Sequence, residues 1–380
     1  MSHGYRDLVI DAVVVGGGLH GCSAALQLAL RNQRCLVIEK DTVGRHASGV
    51  NAGGVRRLDR DPAEIPLSVA AMEMWWRIAE LVGDDCGFRL SGQIKIAENE
   101  TELAVLEERA RLVRSLGYEH EELVGANELF RLVPALSRHC VGGLVARRDG
   151  FAQPYQTTKA FRDKAAALGV RFLEHTRVRG VERNAGDWIA VTDKGRFAAP
   201  VLVNCAGGWG DAIAAATGDP VPFEVVAPMM MVSARLPPFL TPVVGAAGRK
   251  LSFKQMNNGT VVIGGGHFGG ADAEAGTTSL DFRALAKSAR TVAELFPIMR
   301  AAPVVRCWAG LEGFVDDGLP VIGPGTGEAG LYHAFGFSTH GFQLGPIVGR
   351  IVADLVTEGR SDLPIAPFRI DRFAGADQAS

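Results

Sequence analysis

The stretch that decides the fold is DAVVVGGGLHGCSAALQLALRNQRCLVIEK, residues 11–40. It reads as an apolar strand, a glycine-rich turn, a helix and a second apolar strand, which is the order of a βαβ unit. Gly16, Gly18 and Gly21 stand at GxGxxG spacing after the first strand, where glycines let backbone N–H groups approach a pyrophosphate. Glu39 closes the second strand, and its carboxylate can accept hydrogen bonds from ribose hydroxyls. The stretch predicts a dinucleotide-binding site, but the motif does not distinguish NAD from FAD.

Composition limits the classes of function. The chain has 380 residues, 47% of them hydrophobic, which is enough for two domains at about 150 residues each. The 40 Lys and Arg nearly balance the 42 Asp and Glu, and the net charge of −2 provides no field that would attract nucleic acid. The six cysteines are scattered without CxxC spacing, which argues against a metal site or a disulfide framework and favours a cytoplasmic protein. No apolar run approaches the roughly 18 residues of a transmembrane segment.

Three other regions give local predictions. Residues 99–117, NETELAVLEERARLVRSLG, predict a helix with Asn99 as its N-cap and Gly117 as its stop. Residues 251–266, LSFKQMNNGTVVIGGG, predict a β-hairpin that turns at 257–259. The densest charge run, RRLDRD at 56–61, mixes both signs and predicts a solvated loop.

Four later stretches carry a resemblance to a known family. They are HASGVNAGG (46–54), VNCAGGWGD (203–211), WAGLEGFVDDGLPVIGP (308–324) and FGFSTHGFQLGP (335–346). In this order and at these separations they resemble the FAD-dependent amino-acid and amine oxidoreductases of the glycine oxidase, sarcosine oxidase and D-amino-acid oxidase family. The resemblance implies FAD as the cofactor and oxidation of a carbon–nitrogen bond in a small amino acid or amine, with O2 or another acceptor taking the electrons.

The fold class follows from the same resemblance. It implies an α/β protein with a doubly wound, Rossmann-like FAD-binding domain and an interleaved substrate domain built on an antiparallel sheet. We expect residues 1–85, 140–220 and 306–380 in the FAD-binding domain, and residues 86–139 and 221–305 in the substrate domain.

The resemblance also implies a set of FAD contacts along these motifs. The expected contacts are Gly16, Gly18, Leu19 and His20 at the pyrophosphate; Glu39 and Lys40 at the adenosine ribose; Arg45, His46, Ala47, Ser48, Asn51, Ala52, Gly53 and Gly54 under the pyrophosphate and along the isoalloxazine; Val178 at the adenine; Ala206, Gly207 and Trp209 beside the nucleotide half; Gly310 and Leu311 of the third stretch; and Gly336, Phe337, Thr339, His340, Gly341, Phe342 and Gln343 at the entrance to the last helix.

That entrance is expected to stabilise negative charge on the flavin. The free N–H groups of Gly341, Phe342 and Gln343 would direct the positive end of the helix at the pyrimidine edge, with His340 at the ring. In the alternative interpretation, the hydroxyl group of Thr339 or Ser338 merely caps the helix.

The substrate anchor is where this sequence departs from its relatives. Glu312 stands where glycine oxidase-like sequences have an arginine, and Gln343 stands where sarcosine oxidase-like sequences have a lysine. Either the anchor has moved, with Arg56, Arg57 and Lys254 as candidates, or Glu312 binds a cationic substrate. We favour the moved anchor, although Lys254 could also lie on the solvated face of its hairpin.

Three further questions stay open at this stage. Cys307 and His46 lie near positions where some relatives attach flavin covalently, but a noncovalent cofactor is favoured. Val262 stands where sarcosine oxidase-like relatives carry a lysine that activates oxygen, and Lys254 is the nearest substitute. The alternatives to C–N oxidation are a 2-hydroxy acid substrate with His340 as base, a flavin subunit of a larger complex, and an NAD-dependent dehydrogenase that would leave the later glycine-rich stretches unexplained.

Overall fold

The computed structural model describes residues 9–374. The strands are β1 Ala12–Val15, β2 Cys35–Ile38, β3 Gly54–Val55, β4 Gln93–Ala97, β5 Glu122–Gly125, β6 Gly142–Ala146, β7 Gly150–Phe151, β8 Arg171–Leu173, β9 Val178–Asn184, β10 Asp187–Thr192, β11 Gly195–Ala199, β12 Val201–Asn204, β13 Phe223–Ser233, β14 Val243–Ala246, β15 Ser252–Gln255, β16 Val261–Gly264, β17 Phe268–Asp272, β18 Thr277–Ser279, β19 Val304–Ala309, β20 Glu312–Val315, β21 Val321–Pro324 and β22 Leu331–Phe335. The α-helices are α1 Leu19–Ala29, α2 Ala47–Val50, α3 Ile65–Trp76, α4 Ile78–Val82, α5 Glu100–Ser115, α6 Ala126–Leu132, α7 Pro154–Ala167, α8 Gly210–Ala216, α9 Phe282–Leu295 and α10 Gly341–Glu358.

A six-stranded sheet forms the nucleotide-binding half of the molecule. Its strand order is β21-β22-β12-β1-β2-β8, and all neighbours are parallel except β21 against β22. Strands β1 and β2 are fully buried and carry an unbroken apolar run, as expected for a parallel sheet covered on both faces. An antiparallel three-stranded flap, β9 to β11, adjoins it. The predicted βαβ unit and the doubly wound arrangement are confirmed.

Small residues on α10 let it lie directly against α1. A Cβ added to Gly345 would be 2.5 Å from Leu19 Cδ2, and one added to Gly349 would be 2.2 Å from Ser23 Oγ. Helix α10 is therefore pressed onto the first helix of the dinucleotide motif. This packing brings the two ends of the sequence together at one site.

The second large element is a mixed sheet of eleven strands within residues 9–374. Its main path is β18-β17-β13-β16-β15-β14-β4-β6-β5, and β19 and β20 also pair with the long strand β13. The pairs along this path are antiparallel except β14 against β4. The predicted hairpin is confirmed as β15 and β16.

The predicted helix at 99–117 is confirmed as α5. Asn99 caps it by accepting from the Glu102 N–H at 3.0 Å, and the Glu102 carboxylate accepts from the Glu98 N–H at 2.9 Å. A Cβ at Gly117 would be strained, because its φ is +85°. Both ends of α5 therefore follow the local rules that predicted them.

The division into domains stays a prediction. Strand β6 and strands β19 and β20 pair within the eleven-stranded sheet, although the sequence division grouped residues 140–220 and 306–380 with the FAD-binding domain. Residues 1–8 and 375–380 of that predicted domain lie outside the described residues.

Candidate active site

A cavity of about 710 Å³ lies between the two large sheets and is lined by all of the stretches that carried the resemblance. It runs from the flap near Val178 to the first turn of α10 and on to strands β4 and β14. The predicted contacts that line it are Gly16, Gly18, Leu19, His20, Glu39, Lys40, Arg45, His46, Ala47, Ser48, Asn51, Ala52, Gly53, Gly54, Val178, Ala206, Gly207, Trp209, Gly310, Leu311, Gly336, Phe337, Thr339, His340, Gly341 and Phe342, together with Arg56 and Glu312.

The glycine turn leaves room for a ligand at the start of α1. Gly16 has a φ of +107°, and a Cβ there would lie 2.3 Å from the Cys205 carbonyl oxygen. Gly18 forms the N-cap of α1 without a side-chain cap, and a Cβ on it would lie 3.0 Å from Ser48 Oγ. The Leu19 N–H donates to Ser48 Oγ at 2.9 Å, and the N–H groups that follow it in the first turn are the ones that can meet an anion such as a pyrophosphate.

Glu39 has a second role that the sequence did not indicate. Its Oε2 accepts from the Gly17 N–H at 2.7 Å and its Oε1 accepts from the Asp41 N–H at 2.8 Å. Burial raises the pKa of this carboxyl, while the two N–H groups lower it. Each oxygen keeps a second lone pair for a ribose hydroxyl, so Glu39 can hold the glycine turn and still accept from a nucleotide.

Trp209 lies at the nucleotide end of the cavity in a cluster of charged groups. The Lys40 ammonium is 4.0 Å from the centre of its ring, and the His46 ring meets it edge-on at 4.7 Å. The indole N–H donates to the Ala273 carbonyl at 2.7 Å, in the turn between β17 and β18. The cluster is closed by Asp41, whose carboxylate is 2.5 Å from Lys40 and 2.6 Å from His46. A hairpin of the large sheet is therefore bonded to the nucleotide-binding side.

The entrance to α10 matches the prediction of an open, positive helix end. His340 is its N-cap residue and makes no side-chain cap hydrogen bond. Ser338 Oγ accepts from the Val315 N–H at 3.2 Å, so this hydroxyl serves β20 and not the helix. The alternative in which the hydroxyl of Ser338 or Thr339 caps α10 is therefore wrong. With no side-chain cap, the first N–H groups of the helix can direct the helix dipole into the cavity.

Close packing fixes the shape of this entrance. The rings of His20 and Phe337 stack in parallel with centroids 3.6 Å apart. A Cβ on Gly341 would lie 2.8 Å from both the Phe337 Cβ and the His20 Cε1. Burial lowers the pKa of His20 to about 3, so this imidazole is neutral at physiological pH. The glycine at 341 is needed for the stacked pair to sit against the helix.

Glu312 lies at the predicted place in the cavity wall. Its Oε1 accepts from the Thr339 N–H at 2.7 Å, and burial raises the pKa of the carboxyl to about 7. Thr339 and Ser338 both have positive φ, at +70° and +47°. Glu312 therefore holds a strained turn in place, in addition to facing the cavity.

Lys254 was predicted either to anchor the substrate or to lie on the solvated face of its hairpin, and the structure places it in neither position. The side chain is buried, so the hairpin face on which it stands is not solvated. It does not line the cavity, because its ammonium turns away to donate to the Ala52 carbonyl and lies 4.5 Å from the centre of the Phe151 ring. Burial lowers its pKa to about 7. The lysine supports the segment at Ala52 and Gly53 from behind.

The two adjacent arginines have different environments. Arg56 lines the cavity, with Nη1 donating to the Leu58 carbonyl. Arg57 is buried and pairs with Asp149, at 2.9 Å between Nε and Oδ1. Arg57 is therefore structural and is removed from the candidate anchors.

Gln343 and Cys307 are the two predicted cofactor contacts that do not line the cavity. The Gln343 amide faces α3, where its Nε2 donates to the Ser68 carbonyl at 2.8 Å and its Oε1 accepts from Ser68 Oγ at 3.1 Å. A buried amide has to be satisfied, and α3 supplies both partners. Cys307 lies on β19 opposite Met231, and burial raises the pKa of its thiol. The side chains of Gln343 and Cys307 are therefore not cofactor contacts, whereas the predicted contact through the Gln343 backbone N–H stays a prediction.

Two charged residues at the site, Arg60 and Glu64, were not predicted from the sequence. Arg60 lines the cavity and is only 2% exposed, which shows that the run RRLDRD is not simply a solvated loop. Glu64 is fully buried, with its Oε2 2.7 Å from His340 Nδ1 and 4.0 Å from Arg60 Nη1. The i,i+4 spacing of the two residues before α3 was the only available signal.

Comparison with known proteins agrees with this geometry. The sequence model of the family described as FAD dependent oxidoreductase matches residues 11–355. The chain belongs to this family. Its cofactor is accordingly FAD, and the open glycine turn and the uncapped α10 fit that group.

Individual relatives are distant but cover nearly the whole chain. The protein is 28% identical to glycine oxidase of Geobacillus kaustophilus, over 99% of both chains, and a crystal structure under that name matches with a TM-score of 0.88. It is 27% identical to sarcosine oxidase subunit beta of Rhizobium meliloti, over 96% of this chain and 88% of that one. The crystal structure of L-proline dehydrogenase from P. horikoshii matches with a TM-score of 0.90 at 25% identity, over 97% of this chain and 98% of that one. This member of the FAD-dependent oxidoreductase family is therefore an enzyme with the fold of these proteins, and no helix in residues 9–374 is long and apolar enough to cross a membrane.

Proposed function

We propose that this enzyme oxidises the C–N bond of a small amino acid, giving an imine that water hydrolyses. The observation that carries the proposal is a buried cation at the cavity wall. Within residues 9–374, Arg60 Nη1 is buried and has no hydrogen-bond partner, and the nearest carboxylate oxygen is 4.0 Å away on Glu64. The Arg60 Nε donates to the Arg56 carbonyl at 3.2 Å and its Nη2 donates to Gln343 Oε1 at 3.4 Å, so Nη1 is the part of the guanidinium left for an anion. Because Glu64 at 4.0 Å neutralises this buried charge only in part, a substrate carboxylate would complete the site. The names of the relatives, which include two amino-acid oxidases and a proline dehydrogenase, support the same reaction class.

FAD supplies the hydride acceptor when it is bound. The protein supplies orientation: Arg60 binds the carboxylate, with Arg56 also at the cavity wall, and the N–H groups of the first turn of α10 provide a positive field. Arg60 thus replaces Arg57 and Lys254 as the moved anchor. Glu312 stays a candidate for contact with a substrate amine, because it lines the cavity and holds its turn through only one of its oxygens.

Anaerobic bleaching of the flavin tests this proposal. The purified yellow protein should be reduced by members of a panel of amino acids, N-methyl amino acids, diamines and hydroxy acids, with amino acids the most effective. Arg60→Met should lower kcat/KM for amino acids by about 10- to 100-fold, since a hydrogen bond to a charged group contributes roughly 1.5–3 kcal/mol. The same variant should leave the weak reaction of amines without a carboxylate unchanged.

A matched control is Arg111→Met, which removes an exposed arginine of α5 outside the cavity. It should behave as the wild type. Equal losses on amines and amino acids in Arg60→Met would contradict the anchor role, and reduction by hydroxy acids alone would favour the 2-hydroxy acid alternative.

A second candidate is a flavin subunit of a larger complex. Val304 and Val305 at the start of β19 are 45% and 62% exposed, and one relative is named as a subunit. Light scattering of the purified chain together with the bleaching test separates the two, since a passive subunit would not be reduced by any amine. The electron acceptor and the cytoplasmic location stay predictions.

A further inference from the structure

Glu64 and His340 form a contact that the proposed function does not yet use. Glu64 is the N-cap residue of α3 and His340 is the N-cap residue of α10, so two helix entrances meet at the cavity wall. Their side chains approach to 2.7 Å between Oε2 and Nδ1. The two atoms do not meet hydrogen-bond geometry, so the pair is a close contact between a buried carboxylate and an imidazole nitrogen.

The other ring nitrogen of His340 is free to meet a ligand. The ring lines the cavity and its side chain is 22% exposed, whereas Glu64 is fully buried. No group within residues 9–374 forms a hydrogen bond with Nε2. A carboxylate 2.7 Å from Nδ1 favours the proton on that nitrogen, which leaves the lone pair of the neutral imidazole on Nε2.

Charged groups around the ring act in opposite directions. Burial lowers the pKa of His340, and so do the positive charges of Arg60 and Arg56; the Glu64 carboxylate raises it. In turn, His340 and Arg60 lower the pKa of Glu64 against the effect of its burial. Glu64 is therefore ionised, and its negative charge raises the pKa of His340 while the two arginines lower it.

We infer that His340 takes the proton from the substrate ammonium and that Glu64 is the positioning residue that sets its tautomer. This inference rests on the proposed function. In the step, an N–H bond of the substrate ammonium breaks, its electron pair stays on nitrogen, and the proton forms an Nε2–H bond, which leaves imidazolium paired with carboxylate. No electrons are transferred. The free amine lone pair is what C–N oxidation requires, and the proton returns to water when the product leaves.

The position of Glu64 is difficult to explain by stability alone. Within residues 9–374, neither of its oxygens accepts a backbone N–H group, and its only close partners are His340 and, at 4.0 Å, Arg60. A fully buried carboxylate without such hydrogen bonds costs free energy relative to an apolar residue of similar size. A buried carboxylate beside a cavity-lining imidazole is the kind of pair in which a perturbed pKa supports a functional role.

The first test reads the tautomer and does not depend on turnover. Long-range 1H–15N spectra of the holoprotein labelled with 15N-histidine report which ring nitrogen carries the proton, and His340→Gln assigns the signal. We expect the Nδ1–H tautomer in the wild type, with protonation of the imidazole moved to lower pH in Glu64→Gln because the group that raises the pKa is neutralised. An Nε2–H tautomer, or a titration unchanged by Glu64→Gln, would overturn the inference.

The second test follows flavin reduction across pH in the stopped flow. Loss of a positioned proton acceptor costs about 100-fold or more, so His340→Gln should slow reduction by at least that factor. Glu64→Gln should slow it less and move the acid limb of the profile to lower pH, and Glu64→Asp should restore most of the rate. If Glu64→Gln does not fold, the wild-type spectra still decide the tautomer.

The matched control is Asp61→Asn, which neutralises an exposed carboxylate of the same turn whose side chain bonds only the Ala63 N–H. It should leave the acid limb in place. An equal shift in Asp61→Asn would mean that the effect is a general charge effect, and the inference would fall. If no amine or amino acid bleaches the wild type, the proposed function is contradicted. The spectra still show whether Glu64 sets the tautomer of His340.

Discussion

Lys254 has no carboxylate partner within residues 9–374, so the free energy of burying its charge is not repaid by an ion pair. Its one hydrogen bond, to the Ala52 carbonyl, fixes the segment that lines the cavity. This arrangement couples protonation of one residue to folding, because the folded pKa is about 7 and the ordinary value is 10.5.

The pH dependence of stability follows from that difference. Above pH 10.5 the amine is neutral in both states; below it the unfolded chain takes up a proton that the folded chain takes up only near pH 7. The free energy of unfolding should therefore fall as the pH decreases from 10 to 8, by roughly 2 kcal/mol, since one pKa unit corresponds to about 1.4 kcal/mol.

Urea unfolding of the wild type and Lys254→Met at both pH values measures this contribution. The variant should lack this pH-dependent contribution. The free energy of unfolding of the wild type, relative to that of the variant, should therefore fall as the pH decreases from 10 to 8. Parallel pH profiles would show that Lys254 stays protonated in the folded protein.

At the scale of elements, the entrance to α10 depends on a glycine. The Cβ of Gly341→Ala would meet the stacked rings of His20 and Phe337 at 2.8 Å, so the helix has to shift out of its position. We expect a loss of about 1–3 kcal/mol in the free energy of unfolding and weaker FAD retention. Denaturant unfolding and FAD release on dilution measure the two effects.

Gly327→Ala is the control for this substitution. Gly327 is exposed, and its added Cβ would have no contact shorter than 3.8 Å. Its effect should stay within about 0.5 kcal/mol. If both variants retain FAD equally, close packing at Gly341 is not what shapes the entrance.

The sequence predicted elements better than it predicted the site. The βαβ unit, α5 and the β15–β16 hairpin have local signals, namely periodicity, caps and an Asn-Gly turn, so they were predictable one by one. The charged residues were not. Which of Arg56, Arg57 and Arg60 faces the cavity depends on the path of an irregular segment and on distant Asp149, which pairs with the middle one.

Lys254 is a second residue whose surroundings could not be predicted from the local sequence. The hairpin that carries Lys254 was predictable, but whether the face with Lys254 meets water or protein depends on the segment at Ala52, which lies 202 residues earlier in the sequence. Glu39 lines the cavity and could be proposed for the nucleotide site because a fingerprint motif contains it, yet its bonds to Gly17 and Asp41 have no local signature.

For the whole molecule, we predict that FAD is held in the cavity between the two sheets without a covalent link. Cys307 does not line the cavity, and the His46 ring is engaged by Asp41 at 2.6 Å. We therefore expect the yellow colour to pass into the supernatant on acid precipitation. Absorbance of pellet and supernatant measures it, with Cys307→Ser and His46→Ala as the variants that would identify a covalent bond if the colour stayed with the pellet.

The packing of α10 on α1 also has a consequence for biosynthesis. The glycine turn at 16–21 leaves the ribosome first, but the cavity needs Trp209, then Glu312, and finally Gly341, which is 325 residues beyond Gly16 by the numbering of the chain. For most of its translation, a nascent chain therefore has the glycine turn but lacks the later residues that complete the cavity. We therefore expect stable FAD binding only after α10 has been made, and we expect a messenger truncated before that helix to yield a colourless protein.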